Sequence, residues 1–230
     1  TKYMGGHGTT IGGIIVDSGK FPWAKHKKRF SRLNTPDPSY HGVVYTEAMG
    51  DAAFIGAARV VPLRNMGAAI SPFNSFLILQ GIESLAVRMD RHCENAVKVA
   101  DFLLKHPNVS WVNYPGIASS PDFELVKKLM NGKASSVLSF GIEGGKANGA
   151  KFIDNLELIV RLVNIGDAKS LACHPASTTH RQLSKKELKL AGVPEDLVRL
   201  SIGIENSDDI INDISQALSG VFGKTKKKNK

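Results

Sequence analysis

The longest regular pattern of apolar and polar residues lies between residues 72 and 105. Pro72 suits the first turn of a helix. Apolar residues then recur every three or four positions, at Ile82, Leu85, Ala86, Met89, Cys93, Ala96, Val97, Ala100 and Leu104. This spacing predicts a long amphipathic helix, and Gly81 near its start indicates either a kink or close packing against a neighbour.

Beyond this helix, short apolar runs alternate with amphipathic segments. The apolar runs predict strands at 109–114, 136–142 and 198–203. The amphipathic segments predict helices at 121–130, at 152–160, and from an Asn206 cap to about Leu218, with Asp209 at the third position. Strands that alternate with amphipathic helices indicate an α/β or α+β chain.

The first 50 residues follow a different pattern. Residues 11–17 read I-G-G-I-I-V-D and are followed by Ser18-Gly19, which predicts a short buried strand. The segment from 20 to 50 mixes aromatic residues with prolines and charges and shows little periodicity, which predicts a long functional loop.

Composition narrows the class of protein. The chain has 230 residues, of which 42% are hydrophobic, enough to build an ordinary core in one or two domains. No apolar run approaches the roughly 18–20 residues that a membrane-spanning helix needs, so the sequence predicts no membrane partner. Two cysteines, Cys93 and Cys173, cannot form a disulfide framework, which fits a reducing compartment.

The positive charge is concentrated in two places. Five lysines lie in the last seven residues, and without them the net charge falls from +9 to +4. A second basic stretch runs from Lys20 to Arg32. Nucleic-acid binding and solvated surface are both open interpretations. Because neither stretch has aromatic residues at a repeating spacing, the sequence favours a solvated loop and a disordered tail at 223–230, and predicts no nucleic-acid partner.

The first segment with candidate chemistry is T-K-Y-M-G-G-H-G-T-T at residues 1–10. A lysine before a glycine cluster is a candidate Schiff-base nucleophile, because a desolvated amine becomes nucleophilic near neutral pH. The glycines let backbone approach a phosphate closely, and the Thr1 hydroxyl is a candidate donor to it. Residue types alone favour the other interpretation, a chance lysine in a frayed terminus.

The second segment, residues 164–180, contains His174 and His180 with Cys173 beside the first. There is no i, i+4 histidine pair and no CxxC, so the spacing predicts no metal site. A Cys/His nucleophile lacks a third, orienting group. Structural or substrate-lining roles for the two histidines therefore fit the sequence better.

The third segment is V-R-L-S-I-G-I-E at residues 198–205. An arginine within an apolar strand needs a partner when it is buried, because an uncompensated charge there is costly. The planar fork of Arg199 suits bidentate binding of a carboxylate. Residue types leave open whether that carboxylate is an internal Asp or Glu or belongs to a substrate.

Together, the three segments resemble the Cys/Met-metabolism family of pyridoxal-phosphate enzymes, the γ-family of fold type I. Residues 1–8 resemble the signature around the cofactor lysine, usually Ser-x-Thr-Lys-aromatic-x-x-Gly-His. The family's substrate-binding segment is similar to G-D-A-K-S-L at 166–171 followed by H-P-A-S-T-T-H at 174–180. Residues 198–205 are similar to the family's carboxylate-binding strand. The resemblance implies an α/β fold with a small C-terminal domain built on a mainly antiparallel sheet.

Within the family, the chain is most similar to the O-acetylhomoserine or O-acetylserine sulfhydrylases. The stretch G-H-G-T-T-I-G-G at 6–13 differs from the Gly-His-Ser-Asp form usual in cystathionine synthases and lyases. The long segment from Gly19 to about Pro72 resembles an insertion of the sulfhydrylases. Methionine γ-lyase, which shares the His-Pro-Ala-Ser segment, is the nearest alternative, followed by cystathionine γ-synthase and γ-lyase.

The resemblance implies a role for five residues. Lys2 would hold pyridoxal 5′-phosphate as a Schiff base and shuttle protons, and Thr1 would donate its hydroxyl to the cofactor phosphate. Arg199 would bind the substrate α-carboxylate with Asn164 beside it, and Thr179 would line the substrate side of the pocket. The implied reaction replaces the acetate of O-acetylhomoserine with sulfide and yields homocysteine.

The resemblance also implies an organisation. The chain would be the C-terminal half of a cytoplasmic homotetramer built from catalytic dimers. Residues 1–95 would complete a large cofactor domain with a loop at 19–50, and 96–222 would form the small domain. In the family, the rest of the cofactor site lies before the lysine in sequence. It consists of the aromatic ring stacked on the pyridine, the aspartate that pairs with the ring nitrogen, the glycine-rich phosphate contacts, and a Tyr and an Arg from a neighbouring subunit. The isolated chain is therefore expected to be inactive, and a non-catalytic basic binding module is the rival from another class.

Overall fold

A computed structural model describes residues 1–223. The chain divides into two compact units, one formed by Thr1–Ile11 with the chain from Phe76 onward, the other by Gly12–Ser75. The disordered tail predicted for 223–230 lies, from residue 224, outside the described residues. Within residues 1–223, no helix combines the length and the apolar character needed to cross a membrane.

The unit Gly12–Ser75 is built from short helical segments. They are 3₁₀ turns at Trp23–His26 and Gly50–Ala52, a π-helical turn at Arg59–Leu63, and helices α1 (Ser31–Asn34), α2 (Tyr45–Ala48), α3 (Ala53–Ala58) and α4 (Arg64–Met66). Tyr45 lies in their small core, where its hydroxyl donates a 2.8 Å hydrogen bond to the Asp37 carboxylate. Burial raises the pKa of Tyr45 to about 12. The segment predicted as a long loop therefore contains helical turns around a core of its own.

The buried strand predicted for residues 11–17 is wrong. These residues belong to no strand, and the side chains of Ile14 and Val16 are 74% and 82% exposed. A short apolar run predicts that a segment can form a buried strand if another strand lies beside it. The run itself does not show whether such a neighbouring strand exists.

The other unit contains the long helices and a five-stranded sheet. Helix α5 (Pro72–Glu83) crosses from one unit into the other, and α6 (Leu85–Leu104) follows after Ser84. The remaining helices are α7 (Phe123–Met130), α8 (Gly145–Asp154), α9 (Lys185–Leu190) and α10 (Ser207–Phe222). The strands are β1 (Val109–Asn113), β2 (Val137–Ile142), β3 (Val160–Arg161), β4 (Leu171–Cys173) and β5 (Leu197–Ser201).

The sheet has the strand order β1-β2-β5-β4-β3 and is antiparallel except for the β3–β4 pair. Because side chains alternate between the two faces of a strand, Leu138 and Phe140 of β2 and Val198 and Leu200 of β5 face the same way. These side chains are buried against apolar residues of α6, α8 and α10. The main core therefore lies between one face of the sheet and the helices.

The opposite face of the sheet carries polar residues in register. Asn113 pairs with Ser139, Ser139 with Arg199, and Arg199 with Cys173. Cross-strand partners lie on the same face. The register thus places Arg199 away from the core, in the middle of a row of side chains that crosses four strands.

Most elements predicted from periodicity are confirmed. The α/β class holds, the three predicted strands correspond to β1, β2 and β5, and the helix at 72–105 is present with a break at Ser84. The helix predicted at 152–160 is wrong over most of its length, because α8 runs from Gly145 to Asp154 and Val160 begins β3. The three-residue β4 and the six-residue α9 are too short for their periodicity to be recognised. The domain boundary near residue 95 stays a prediction.

Helix α10 holds the chain that leads to the candidate site. The Asn206 side chain accepts a 2.8 Å hydrogen bond from the Asp208 N–H, which confirms the predicted cap. Seven residues after the cap, about two turns along the helix, the buried Asp213 carboxylate accepts hydrogen bonds of 2.9, 3.0 and 2.8 Å from three consecutive backbone N–H groups, those of residues 157–159. This fixes the start of β3, from which the chain continues to Asn164.

Candidate active site

Lys2 begins a tight turn of backbone that its glycines make possible. The Gly6 N–H donates to the Lys2 carbonyl at 2.8 Å, and the Ala168 N–H donates to the Gly6 carbonyl at 2.8 Å. Gly6 has a φ of +76°, and a Cβ there would lie 2.3 Å from Nη1 of Arg88. Any residue larger than glycine would therefore collide with the guanidinium and disrupt the turn.

The buried guanidinium of Arg88 holds this turn from inside. Arg88 is 4% exposed and donates to the Tyr3 carbonyl at 2.8 Å and the Gly81 carbonyl at 2.6 Å, with a longer contact of 3.5 Å to the Met4 carbonyl. Burial lowers the pKa of Arg88. The carbonyl oxygens replace the water that this cation loses, so the backbone after Lys2 is fixed by a charged donor.

Helix α5 passes directly against the same turn. A Cβ at Gly81 would lie 2.3 Å from the carbonyl oxygen of Gly5 and 2.4 Å from that of Met4. Of the two roles predicted for Gly81, close packing is confirmed.

Replacing Gly81 with Ala is expected to lower the free energy of unfolding by about 1–3 kcal/mol, the usual cost of overpacking. The added methyl group would meet backbone oxygens, which cannot rotate away. Urea unfolding followed by circular dichroism measures the effect. Gly220→Ala in α10 is the matched control, since its methyl group would meet only the end of the Asn155 side chain. Equal midpoints for Gly81→Ala and Gly220→Ala would contradict the close approach of α5 to the turn.

Tyr3 anchors the turn through its side chain. Its hydroxyl forms a 2.8 Å hydrogen bond with the hydroxyl of the buried Ser136, directly before β2. Its ring meets the ring of His92 edge-on, with the centroids 5.5 Å apart. The residue after Lys2 is thus tied to both the sheet and α6.

The structure brings Lys2, Asn164 and Arg199 together. The exposed Lys2 ammonium donates to Oδ1 of the half-buried Asn164. Nη2 of Arg199 donates to the carbonyl oxygen of Val163 and, at 3.3 Å, to that of Asn164. An amine, an amide and a guanidinium from three separated parts of the sequence therefore form one hydrogen-bonded group.

No carboxylate among residues 1–223 forms an ion pair with Arg199. The carboxylate of Glu205, six residues after Arg199 in sequence, instead accepts from the Ser170 N–H at 2.6 Å and from the Ser170 hydroxyl at 3.0 Å. Of the two partners considered for Arg199, the internal one is thus absent from the described chain. Because its described hydrogen bonds use only Nη2, Arg199 can present the rest of its fork to an external anion.

The other predicted site residues lie nearby with less definite geometry. Thr1 is half-buried beside Lys2. Thr179 is exposed, pairs with Nδ1 of His180 at 2.8 Å, and lines a cavity of about 350 Å³ together with Arg199. Within residues 1–223 no group of metal-ligating side chains is found.

His174 is held by its surroundings. Its Nε2 lies 2.8 Å from the Glu195 carbonyl and its Nδ1 2.8 Å from the Ser177 hydroxyl. Burial lowers the pKa of this histidine. Both ring nitrogens have partners within the fold, which fits a structural role.

Comparison with known proteins places the chain in a family. A family model described as "Cys/Met metabolism PLP-dependent enzyme" matches residues 1–219. The chain belongs to this family. Its membership agrees with the resemblance carried by the lysine, substrate and carboxylate segments.

Members of the Cys/Met-metabolism family with assigned activities are similar over nearly all of this chain. A homocysteine synthase of Schizosaccharomyces pombe is 51% identical over 95% of this chain and 51% of its own length. An O-acetyl-L-homoserine sulfhydrylase of Leptospira meyeri is 51% identical over 96% of this chain and 52% of its own. The chain thus spans about half the length of these curated relatives.

A solved structure in the family is similar in fold. A Campylobacter jejuni protein assigned as an O-acetylhomoserine (thiol)-lyase, 43% identical, superposes with a TM-score of 0.80. The match covers 95% of this chain and 52% of that one, whose structure contains N′-pyridoxyl-lysine-5′-monophosphate.

Sequence reasoning missed the buried polar residues of α6 that adjoin the site. Arg88, His92 and Asn95 are all buried, and only the apolar positions of this helix entered the prediction. The signal was present, because these three residues fall on the helix face of Val99 and Leu103 and interrupt its apolar pattern.

Proposed function

We propose that this chain supplies the lysine side of the active site of an O-acetylhomoserine sulfhydrylase. In the overall reaction, the C–O bond at Cγ of O-acetylhomoserine breaks, acetate leaves with the electron pair, and sulfide forms a C–S bond at the same carbon to give homocysteine. The observation that carries the proposal is the hydrogen-bonded group of Lys2, Asn164 and Arg199. The relatives named for this activity support it.

The residues present fit pyridoxal 5′-phosphate. An exposed amine on a glycine-rich turn is open to an aldehyde, and the Asn164 amide oxygen orients it. Lys2 would hold the cofactor covalently through Nζ, with the Thr1 hydroxyl toward its phosphate. When bound, this cofactor supplies the electron sink for deprotonation next to an amino group.

Lys2 would also serve as the acid–base group of the reaction. Its Nζ would take the proton from Cα of the substrate and move protons to and from Cβ. Asn164 keeps the amine close to these carbons, because the Lys2 ammonium donates to its side chain.

Arg199 would bind the α-carboxylate of the substrate. Its Nη2 is held by the carbonyls of Val163 and Asn164, which orients the guanidinium plane before the substrate arrives. A preoriented fork loses little entropy when it binds a carboxylate bidentately. Thr179, which lines the same cavity as Arg199, would contact the rest of the substrate.

The fold-type I arrangement, with a cofactor domain over 1–95 and a small domain over 96–222, remains part of this proposal. So do a cytoplasmic location and a homotetramer of catalytic dimers. The ring-stacking aromatic residue, the aspartate at the ring nitrogen and the phosphate contacts are expected in the half of the relatives' length that this chain does not span. This chain alone is therefore expected to be inactive or nearly so.

The test compares two samples. One is this chain alone. The other, which we call the complemented protein, contains this chain together with the part of the S. pombe homocysteine synthase that this chain does not match. With pyridoxal 5′-phosphate, O-acetylhomoserine and sulfide, the complemented protein should form homocysteine and the chain alone should not. Ordinary enzymatic rates from the chain alone would contradict the half-site proposal. α-Ketobutyrate and ammonia from methionine without sulfide would instead favour a γ-lyase.

A further inference from the structure

Helix α6 carries three polar side chains on one buried face. Arg88, His92 and Asn95 follow one another at spacings of four and three residues and are 4%, 0% and 0% exposed. We call them the polar stripe of α6. Residues at these spacings lie above one another on a helix, so the three side chains form a continuous line.

One end of the polar stripe holds the backbone beside Lys2. Arg88 donates to the carbonyls of Tyr3 and Gly81 and, through Nε, to the Ser84 hydroxyl at 3.1 Å. The turn after Lys2 is therefore attached to α6 through a charged donor.

The other end of the polar stripe holds the chain that follows β5. His92 Nδ1 lies 2.6 Å from the Ile202 carbonyl, and because a carbonyl only accepts, Nδ1 carries the proton. Asn95 donates through Nδ2 to the Gly203 carbonyl at 3.1 Å and the Glu205 carbonyl at 2.8 Å. These carbonyls begin three residues after Arg199, so the same helix face fixes the strand that carries the guanidinium.

His92, in the middle of the polar stripe, links the turn after Lys2 to the end of β5. The His92 ring packs edge-on against the Tyr3 ring, and the Tyr3 hydroxyl bonds to Ser136. The Ser136 carbonyl in turn accepts from the Ile202 N–H at 2.9 Å. The lysine turn, α6 and the end of β5 are thus linked in a closed ring of directional contacts.

We infer that the polar stripe of α6 is the element that sets the separation between the Lys2 amine and the Arg199 guanidinium, with Arg88 and His92 as positioning residues. The inference rests on the proposed function, in which one α-amino acid must engage both groups. Its amine and carboxylate are attached to the same carbon, so the two protein groups tolerate little relative movement. A misplacement of about 1 Å at such a site can cost on the order of 10²-fold in rate.

Packing alone does not require a stripe of this kind. Apolar side chains would fill the same space without the cost of desolvating a guanidinium, an imidazole and an amide. Hydrogen bonds differ from apolar contacts in fixing direction as well as distance. Their placement at the two chain segments that bear Lys2 and Arg199 is what a positioning element needs.

The first test uses hydrogen exchange in the chain without cofactor. Arg88→Met should speed exchange at the Gly6 and Ala168 amides about tenfold more than at the core amides of Phe140 and Leu200, since a hydrogen bond to a charged donor is lost. The exchange rates of these amides in Arg88→Lys should lie between those of Arg88→Met and those of the parent. Arg91→Met, an exposed arginine on the same helix, is the matched control and should change none of these amides.

The second test separates the two nitrogens of His92. Asn places its amide N–H near the position of Nδ1, whereas Gln places it near Nε2. His92→Asn should therefore keep exchange at the Gly203 and Ile204 amides close to that of the parent, and His92→Gln should speed it about tenfold. Equal behaviour of the two variants would overturn the role of the Nδ1 bond.

The third test links the stripe to the amine. The chain is treated with pyridoxal 5′-phosphate, reduced with borohydride, and the ratio of label on Lys2 to label on the exposed Lys186 is read by peptide mass spectrometry. Arg88→Met should lower this ratio about tenfold, and Arg91→Met should not. The inference is overturned if Arg88→Met leaves the labelling ratio unchanged, or if it speeds amide exchange at Phe140 and Leu200 as much as at Gly6 and Ala168.

A parent chain that labels Lys2 no more than Lys186 would contradict the proposed function instead. The hydrogen-exchange results would then still decide whether the stripe positions the turn.

Discussion

Replacing Lys2 with Ala is expected to abolish covalent capture of pyridoxal 5′-phosphate by this chain. In the complemented protein, it should lower homocysteine formation by on the order of 10⁴-fold or more, since the proposed function has one amine both hold the cofactor and move the protons. Borohydride reduction followed by peptide mass spectrometry measures capture, and thiol detection measures homocysteine. The turn should stay folded, because Lys2 contributes only its backbone carbonyl to it.

Lys128→Ala is the matched control for Lys2. It removes an exposed lysine from α7, outside the three segments assigned to the site, and leaves the described group of three side chains intact. It should retain both capture and turnover. Capture of the cofactor by Lys2→Ala at the parent's level would place the reactive amine elsewhere in the chain.

Replacing Arg199 with Met is expected to raise the KM of the complemented protein for O-acetylhomoserine by about 10²–10³-fold, since a bidentate pair of charged hydrogen bonds is lost. The KM for sulfide should change little, because sulfide has no carboxylate. This split between two substrates of one enzyme distinguishes carboxylate binding from general damage to the fold.

Arg161→Met is the control for Arg199. Arg161 is an exposed arginine on β3 that pairs with Asp154 at 3.0 Å, and its loss should leave both KM values unchanged. The analogue of O-acetylhomoserine that lacks the carboxylate should be a poor substrate for the parent and an equally poor one for Arg199→Met. If Arg199→Met still favoured O-acetylhomoserine over this analogue as strongly as the parent does, carboxylate binding would belong to another residue.

The chemistry of the site could be predicted from sequence because it resides in short motifs. Lys2 lies among glycines, and Arg199 interrupts an apolar strand, so each is visible without knowledge of its neighbours. Their meeting at Asn164 could not be derived from spacing, since the three residues are up to 197 positions apart. The resemblance to the Cys/Met-metabolism family implied only a role for each residue, with Lys2 at the cofactor and Asn164 and Arg199 at the substrate carboxylate.

The strand error at 11–17 and the missed stripe of α6 have a common physical cause. Periodicity indicates which face of an element is apolar, but burial depends on what lies against that face. Ile14 and Val16 are apolar and exposed, whereas Arg88 and His92 are polar and buried. The partners of Arg88 and His92, the carbonyls of Tyr3 and Ile202, are distant in sequence.

The register of β5 against β2 decides which of its side chains face the candidate site. Arg199 faces the site because it pairs with Ser139, while its neighbours Val198 and Leu200 face the core. A slip by one residue would turn the guanidinium into the core and an aliphatic side chain toward the substrate. A change that shifted this pairing by one residue would therefore remove the guanidinium from the candidate site without altering any residue of that site.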